Sequence, residues 1–484
     1  MNDYKPNIIF RADGNSEMGL GHIIRSSALA SAINENYSCT LVTRCDIPEI
    51  LREMSSVFNK IIQLQGKDYY SEAECFSEIP FTGDLIILDG YFFDTKYQQI
   101  LARTGREFFS IDDIRASYFF SKVIINHSGG LTALDYRAEP GTQFYLGPYY
   151  SLLRKPFLEA SKKRRAFLDN KNCFVCFGGA DPGNKTMEIL ENNDIRDQFD
   201  YFHVVTGSAY RDKNKLTELA ATQRNIYLYS SLSAEDLVTV MQRCCFAICS
   251  PSTIVYEYMS VGGVVFLEQI ADNQQDIIRY LTAEGLAFFL NDFSSISENK
   301  FQSSLEKQAR LFDGQSAERF KKIFRQYFES QKMIVRRVDD GDLEICFKWA
   351  NDPLVREQSY NQQLILITEH TNWLHQKLND PNSFFYIIEI DHKPVAQIRF
   401  QVNGREAVLG YLTDKSIRDQ GLGTYVLSKG VEKFISDYKK PVKIIGYVKN
   451  SNIASQKSFE KLSFTKEASK EKPDSVKYTM YYGD

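Results

Sequence analysis

Asn7-Ile8-Ile9-Phe10-Arg11-Ala12, followed shortly by Gly19-Leu20-Gly21-His22-Ile23-Ile24-Arg25, is the stretch on which the fold turns. The first run is almost continuously apolar, as expected of a strand covered on both faces. The run Ile23–Ile33 then changes to helical spacing. Strand, glycine loop and helix in that order open a parallel α/β unit. Gly19 and Gly21 let backbone approach an anionic group closely, and the helix start adds unpaired N–H groups and a positive dipole end. His22, at that mouth, is placed to move a proton beside a phosphate-bearing molecule.

Further along, the spacing predicts strands at Thr40–Arg44, Leu85–Leu88, Phe108–Ile111 and Lys122–Ile125, with a helix at Lys96–Arg103 among them. The pattern restarts with Cys173–Phe177, Tyr201–Val205, Ile226–Leu228, Phe246–Cys249 and Val264–Leu267. Two doubly wound parallel sheets are expected, changing over near Tyr150–Pro156, with ligands outside the carboxyl ends of their strands. After the polar helix Ser316–Lys332 the texture becomes α+β. Strands Phe384–Ile390, Val395–Val402 and Ala407–Leu412 are separated by short turns that imply antiparallel pairing, and Lys443–Val448 follows. The domains expected are 1–153, 154–330 and 333–484.

A chain of 484 residues needs several cores. Its net charge of −4 provides no basic field for nucleic acid. No run reaches membrane-spanning length and the start lacks a signal-peptide pattern, so a cytoplasmic, membrane-free protein is expected. Nine cysteines read as core residues of a reducing compartment. Cys173-Phe174-Val175-Cys176 lies inside an apolar run without a second pair at zinc spacing, so no metal is expected.

Candidate groups cluster at strand ends and helix starts. Asp89-Gly90-Tyr91 ends a strand, as does Phe177-Gly178-Gly179-Ala180-Asp181-Pro182. Ser252 and Thr253 offer hydroxyls and N–H groups suited to diphosphate oxygens. Glu257, about one turn later, is suited to ribose hydroxyls. Arg25 can meet phosphate or a carboxylate. With Arg11-Ala12-Asp13, Leu146-Gly147-Pro148-Tyr149 and Asn273-Gln274, the order of these motifs from Asn7 to Arg319 resembles the UDP-sugar hydrolases of pseudaminic acid biosynthesis. That family is built like the lipid-intermediate N-acetylglucosaminyltransferase of peptidoglycan synthesis.

The resemblance implies two Rossmann-like domains in a GT-B arrangement and no metal. It implies inverting hydrolysis of UDP-2,4-diacetamido-2,4,6-trideoxy-β-L-altropyranose to UDP and the free sugar. His22 is the implied base. Tyr91 and Asn273 would orient sugar or water, and Asp13 and Asp89 would bind acetamido groups or orient His22. The UDP-sugar would further meet Arg11, Gly19, Gly21, Arg25, Gly178, Gly179, Asp181, Ser252, Thr253, Glu257 and Gln274. Ser250-Pro251-Ser252-Thr253 departs from a glycine-rich version of that loop, shifting diphosphate approach toward hydroxyls.

A second glycine loop, Arg418-Asp419-Gln420-Gly421-Leu422-Gly423, lies between a strand and the helical run Thr424–Phe434. Together with Asn452–Phe464 it resembles the GNAT acetyltransferases, over about Met333 to Tyr482. Trp349-Ala350-Asn351-Asp352-Pro353, with His370 and Trp373, resembles the branch acting on amino sugars or protein N-termini. The resemblance implies acetyl-CoA as cosubstrate, held by Leu412, Arg418, Gln420, Gly421, Gly423, Asn452, Ser455 and Phe459. Phe459 stands where many relatives carry a tyrosine acid, leaving Tyr447, Tyr425 or water to protonate the thiolate, and Ser463 replaces the glycine before Phe464. Trp349 and Trp373 are either core or acceptor lining.

The two halves together are expected to form a bifunctional enzyme. One would acetylate a 4-amino UDP-sugar, and the other would hydrolyse the diacetamido product. A GT-B glycosyltransferase with an accessory acyl-CoA-binding unit, or the same reactions on another amino sugar, are the alternative expectations.

Overall fold

The computed structural model describes residues 5–15, 19–66, 68–78, 85–163, 170–179, 181–207, 210–271, 274–462 and 464–483. Strand Asn7–Ala12 is buried from its second residue on, and Leu85–Asp89 along its whole length. Such strands need cover on both faces, and the intervening helices provide it. The first sheet runs Lys60–Gln63, Ser38–Thr43, Asn7–Ala12, Leu85–Asp89, Phe108–Ile111, Val123–Asn126, Gln143–Leu146. The registers from Lys60–Gln63 through Val123–Asn126 are parallel. The second runs Ile226–Ser230, Tyr201–Thr206, Asn172–Cys176, Phe246–Cys249, Val264–Leu267, Phe288–Phe289, parallel throughout.

In each sheet the chain order reverses once, between Asn7–Ala12 and Leu85–Asp89 and between Asn172–Cys176 and Phe246–Cys249. Loops leaving neighbouring strands on opposite sides open a crevice at such a point. The crevice of the first sheet receives the Gly19–Arg25 turn and Asp89–Tyr91. That of the second receives Phe177–Gly179 and Ser250–Thr253.

The third sheet is ordered Met333–Arg337, Ser383–Ile390, Lys393–Asn403, Glu406–Thr413, Val442–Lys449, Ser475–Tyr482, Thr465–Ala468. It is antiparallel except where Glu406–Thr413 meets Val442–Lys449. That parallel register ends at Leu409 opposite Gly446, so beyond it Gly410–Thr413 and Tyr447–Lys449 part company. One hairpin turns through Asp391 and His392, both at positive φ, as a two-residue primed turn demands.

The chain divides into two compact units, 1–139 with 144–321 and 140–143 with 322–484. The sequence pattern passed over Lys60–Gln63, Phe288–Phe289, Met333–Arg337, Thr465–Ala468 and Ser475–Tyr482. The first four are edge strands, short or exposed, and carry little of the apolar signal that marks interior ones, whereas Ser475–Tyr482 lies one strand in from the edge, between Val442–Lys449 and Thr465–Ala468.

Candidate functional site

His22 is the second residue of helix Gly21–Ile33, and Asp89 ends its strand at the first crevice. They meet with His22 Nδ1 2.8 Å from Asp89 Oδ1. Asp89 is fully buried and also accepts from Arg25 Nη2 at 2.6 Å and from Ser26 Oγ at 3.1 Å. Burial pushes its carboxyl up, but the Arg25 charge and then His22 outweigh that, leaving it below its ordinary value and ionised.

Arg25 Nη2 also lies 3.0 Å from His22 Nδ1. A ring nitrogen has either a proton or a lone pair to offer, so Nδ1 cannot serve both neighbours. Facing an ionised carboxylate at the shorter distance, it carries the proton and donates to Asp89. Nε2 is thereby left with the lone pair of a base. Tyr91, half-exposed, sets its ring edge-on to the imidazole with centroids 4.6 Å apart and donates its hydroxyl to Asp113. Arg25 Nη1 donates to the same Asp113 carboxylate at 2.9 Å.

Side chains from helices Thr253–Val261 and Gln275–Ala283, which accompany the second parallel sheet, reach this neighbourhood within the same unit. His127 packs on Tyr256 with ring centroids 4.8 Å apart, and Arg115 pairs with Asp276 at 2.5 Å. A Cβ on Gly129 would fall 2.3 Å from the Tyr280 ring, so only glycine admits that approach. Burial, and then the Arg25 charge, lower His127 to about 4, keeping it neutral.

Several expected ligand contacts give way to internal ion pairs and caps. Arg11 is fully buried and bonds Asp13 at 2.6 Å and Glu72 at 2.5 Å, and Asp13 also takes the Arg44 N–H. An internal guanidinium needs such carboxylates. Glu257 is buried with both oxygens on Arg154, at 2.8 and 3.0 Å, so ribose hydroxyls would compete with a charged fork. Asp181 accepts from Lys185 N and Thr186 N at the start of the next helix. Gln274 uses its carbonyl on the N–H groups of Ile270 and Ala271. Asn273 lies outside the described residues.

Ser252 and Thr253 fit their expected role better. Both are half-exposed at the start of helix Thr253–Val261, and Ser252 makes no cap bond there. Gly19 and Gly178 adopt positive φ, 82° and 83°, with nothing near the place of a Cβ. Gly21 and Gly179 are equally open on that side. Asp113, Ser26, Arg154 and His127 went unnoticed as site residues. Asp113, two residues past a parallel strand end, is the one that position alone could have flagged.

In the other unit a cavity of about 940 Å³ opens where the third sheet parts. Leu412, Arg418, Gly421, Gly423, Asn452, Ser455 and Phe459 line it together. Gly421 has φ 76°, and a Cβ there would strike the Gln326 amide, which donates to the Gln420 carbonyl at 2.6 Å. Arg418 is fixed by Asp352 at 2.9 Å and by the Thr413 carbonyl. The Gln420 side chain bonds the Ser416 carbonyl, and Asn452 caps helix Ile453–Lys461 through Ser455 N.

Phe459 fills space above Gly446, where a Cβ would come within 2.5 Å of its ring. Beside it the Tyr411 hydroxyl lies 3.1 Å from Ser455 Oγ. Burial raises the Tyr411 phenol against the lowering effect of Ser455 and Ser458, so it keeps its proton. Tyr447 lines the cavity as well, whereas Tyr425 is buried and is not among the described lining residues. Ser463 falls outside the described residues. The two tryptophans divide: Trp349 is core, donating to Asp414 at 2.7 Å, and Trp373 faces the cavity.

This splayed sheet with a glycine loop at a helix start has a counterpart among known proteins. Residues 332–465 match the acetyltransferase (GNAT) domain family. Before that domain the chain is similar to a UDP-2,4-diacetamido-2,4,6-trideoxy-β-L-altropyranose hydrolase of Campylobacter jejuni. The two are 23% identical over 282 residues, which is 57% of this chain and 97% of the relative. A spore coat polysaccharide biosynthesis protein of Bacillus subtilis is 22% identical over 58% of this chain and 82% of its own length. Nearly the whole chain, 94%, is 23% identical to 96% of an uncharacterised protein of Methanocaldococcus jannaschii. A solved domain from that organism is 24% identical over 31% of this chain and 99% of its own, with a TM-score of 0.28. The likeness to the hydrolase thus precedes the stretch that matches the GNAT domain family on one polypeptide. Among the described residues no helix is long and apolar enough to cross a membrane, and no His, Cys, Asp and Glu side chains group as metal ligands.

Proposed function

We propose that the chain is a bifunctional enzyme of pseudaminic acid biosynthesis, acting in the cytoplasm. The GNAT domain would acetylate the 4-amine of a UDP-4-amino sugar. The two parallel-sheet domains, in a GT-B arrangement, would then hydrolyse UDP-2,4-diacetamido-2,4,6-trideoxy-β-L-altropyranose. The three-part division 1–153, 154–330 and 333–484 belongs to this proposal. So do the open backbone sites Gly19, Gly21, Gly178 and Gly179, and the helix start at Ser252 and Thr253 for the diphosphate.

The observation that carries the hydrolytic reading is the buried His22–Asp89 pair beside that glycine turn. His22 Nε2 takes a proton from water as the oxygen bonds to the anomeric carbon and the bond to the diphosphate oxygen breaks. Asp89 stabilises the imidazolium and fixes its tautomer. Helix-start N–H groups meet the charge gathering on the departing UDP. Tyr91 would set the water or sugar over the ring. Glu257, Arg11, Asp13, Asp181 and Gln274 support these loops through the partners described above.

At the GNAT cavity the amine nitrogen attacks the acetyl carbonyl, the carbon–sulfur bond breaks, and the thiolate takes a proton. Gly421 and Gly423 with the helix start would receive the acetyl-CoA diphosphate, and Asn452, Ser455 and Leu412 the pantetheine. Tyr411 holds its proton beside Ser455 and supplies the hydroxyl that Phe459 lacks.

The test incubates the purified chain with the 4-amino UDP-sugar, with and without acetyl-CoA, and identifies products by mass spectrometry. UDP and the free diacetamido sugar are expected only when acetyl-CoA is present. Release of UDP from the unacetylated sugar at the same rate would overturn the two-step order. Transfer of the sugar to an alcohol in place of water would make the chain a glycosyltransferase.

A further inference from the structure

Besides the glycine loop, the GNAT cavity is walled by the short helix Pro353–Gln358, the helix Ile367–Asn379, strand Lys393–Asn403 and the end of strand Val442–Lys449. Arg356, Arg399 and Lys449 line it. Arg399 sits opposite Gly410 in the antiparallel register, where the missing side chain leaves its guanidinium room, and it lies over the Trp373 ring at 5.1 Å. It is exposed to the cavity, and among the described residues no carboxylate pairs with it.

Arg356 donates only to neutral oxygens, the Asn361 and Gln363 carbonyls and Ser359 Oγ, while its buried Nε has no partner among the described residues. Lys449 is held by the Glu357 and Ser359 carbonyls. The carboxylates lining the cavity among the described residues are Asp419, in the glycine loop, and exposed Glu369, whose Oε2 accepts from Leu366 N. Two more polar atoms on this wall, His370 Nε2 and Gln397 Oε1, are buried without a partner among the described residues.

Arg356 and Arg399 line one cavity with no carboxylate paired to either among the described residues, which is an incomplete charge set, and buried polar atoms without partners call for a ligand. Arg in particular matches phosphate oxygens in a two-pronged fashion. We infer that Arg356 and Arg399 form an anion clamp for the acceptor, so that the amine acetylated here carries a phosphate or diphosphate group. This rests on the acetyl-transfer reading above and goes beyond it. The nucleotide is a recognised part of the acceptor, separate from the diphosphate of acetyl-CoA, and Arg399 and Arg356 are the specificity residues. His370 and Gln397 then face the sugar, one with a ring nitrogen and the other with an amide oxygen.

Both tryptophans of the chain lie in this unit, so their emission reports on it and not on the parallel-sheet domains. With CoA at saturation, titrating UDP into the full chain is expected to change the emission in a saturable way, whereas uridine does not. Arg399→Met and Arg356→Met each weaken that response on the order of 10- to 100-fold, as loss of a charged hydrogen bond does. Trp373→Phe removes the signal while leaving CoA binding in place. No response to UDP, or an undiminished one in both arginine variants, overturns the clamp.

A second arm measures free thiol from acetyl-CoA with the 4-amino UDP-sugar and with the same sugar lacking UDP. Arg399→Met is expected to lower kcat/KM for the UDP-sugar by a similar factor, with the KM for acetyl-CoA unmoved and partial recovery in Arg399→Lys. Equal turnover of the two sugars in the unaltered chain overturns the clamp and keeps the acetyl-transfer reading. UDP binding without acetylation of any amine does the reverse.

Discussion

The two candidate sites handle charge in opposite ways. In the parallel-sheet unit the guanidinium groups named above meet carboxylates: Arg25 with Asp89 and Asp113, Arg11 with Asp13 and Glu72, Arg154 with Glu257. The cavity beside Arg25 and Tyr91 measures only about 20 Å³. In the GNAT unit the cavity is about 940 Å³, and Arg356 and Arg399 face it without carboxylates. Under the proposed hydrolysis the first site holds its base in place before any ligand arrives. The second leaves the completion of its charge set to its ligands. Preorganised pairs suit a step in which water must be activated, whereas an incomplete set suits selecting among large anionic molecules.

The largest effect that can break this comparison is at the paired site. His22→Ala is expected to lower UDP release from the diacetamido UDP-sugar by roughly 1000-fold, with acetyl transfer unchanged. Asp89→Asn should cost roughly 100- to 1000-fold, because an amide no longer selects the Nδ1–H tautomer. Hydrolysis that survives both changes in steady-state assays would show that the pair is only scaffolding.

Next in size is a pH effect on the same unit. His127 takes its proton at about 4 in the native state against 6.5 in the unfolded chain. Its folded pKa is depressed, so unfolding takes up a proton between those values. Its contribution is complete above pH 6.5, is lost as pH falls to 4, and is flat below. The span corresponds to about 3 kcal/mol. Urea midpoints measured across pH 4 to 7 should show this slope, and His127→Phe should flatten it.

At the other site Gly421→Leu is expected to raise the KM for acetyl-CoA on the order of 10-fold, through strain at positive φ and displacement of Gln326. Hydrolysis of the diacetamido UDP-sugar in the same preparation should be unaffected. An equal loss in both assays would mean that the two sites are not independent. The smallest effect is that of Ser252→Ala. One neutral hydroxyl at a helix start should change the KM for the UDP-sugar by only about 2- to 5-fold, measured by UDP release.

Much of the layout was legible beforehand. Phe108–Ile111, Phe246–Cys249 and Val264–Leu267 begin and end where the apolar runs do, because strands buried on both faces write their own boundaries. Glycine turns at Gly19 and Gly421 were equally plain. The charged residues were less so. Arg11 reads as a ligand for an anion and proves to be an internal ion pair, since its partner Glu72 is 61 positions away and on a different element. Nor could spacing show the partner of Glu257, since Arg154 is supplied from 103 positions earlier. Trp349 and Trp373 could not be separated by composition, yet one is core and the other faces the cavity.

By itself the sequence determined most interior strands, the parallel character of the first two sheets and the glycine turns, because burial periodicity and backbone freedom are local properties. Only the tertiary structure decided which charges neutralise one another. It seated His22 on Asp89, removed Arg11 and Glu257 from solvent, and left Arg399 above Trp373 without a carboxylate partner among the described residues. Electrostatic partnership depends on distances of a few ångströms between residues far apart in the chain, and no spacing along the chain encodes those.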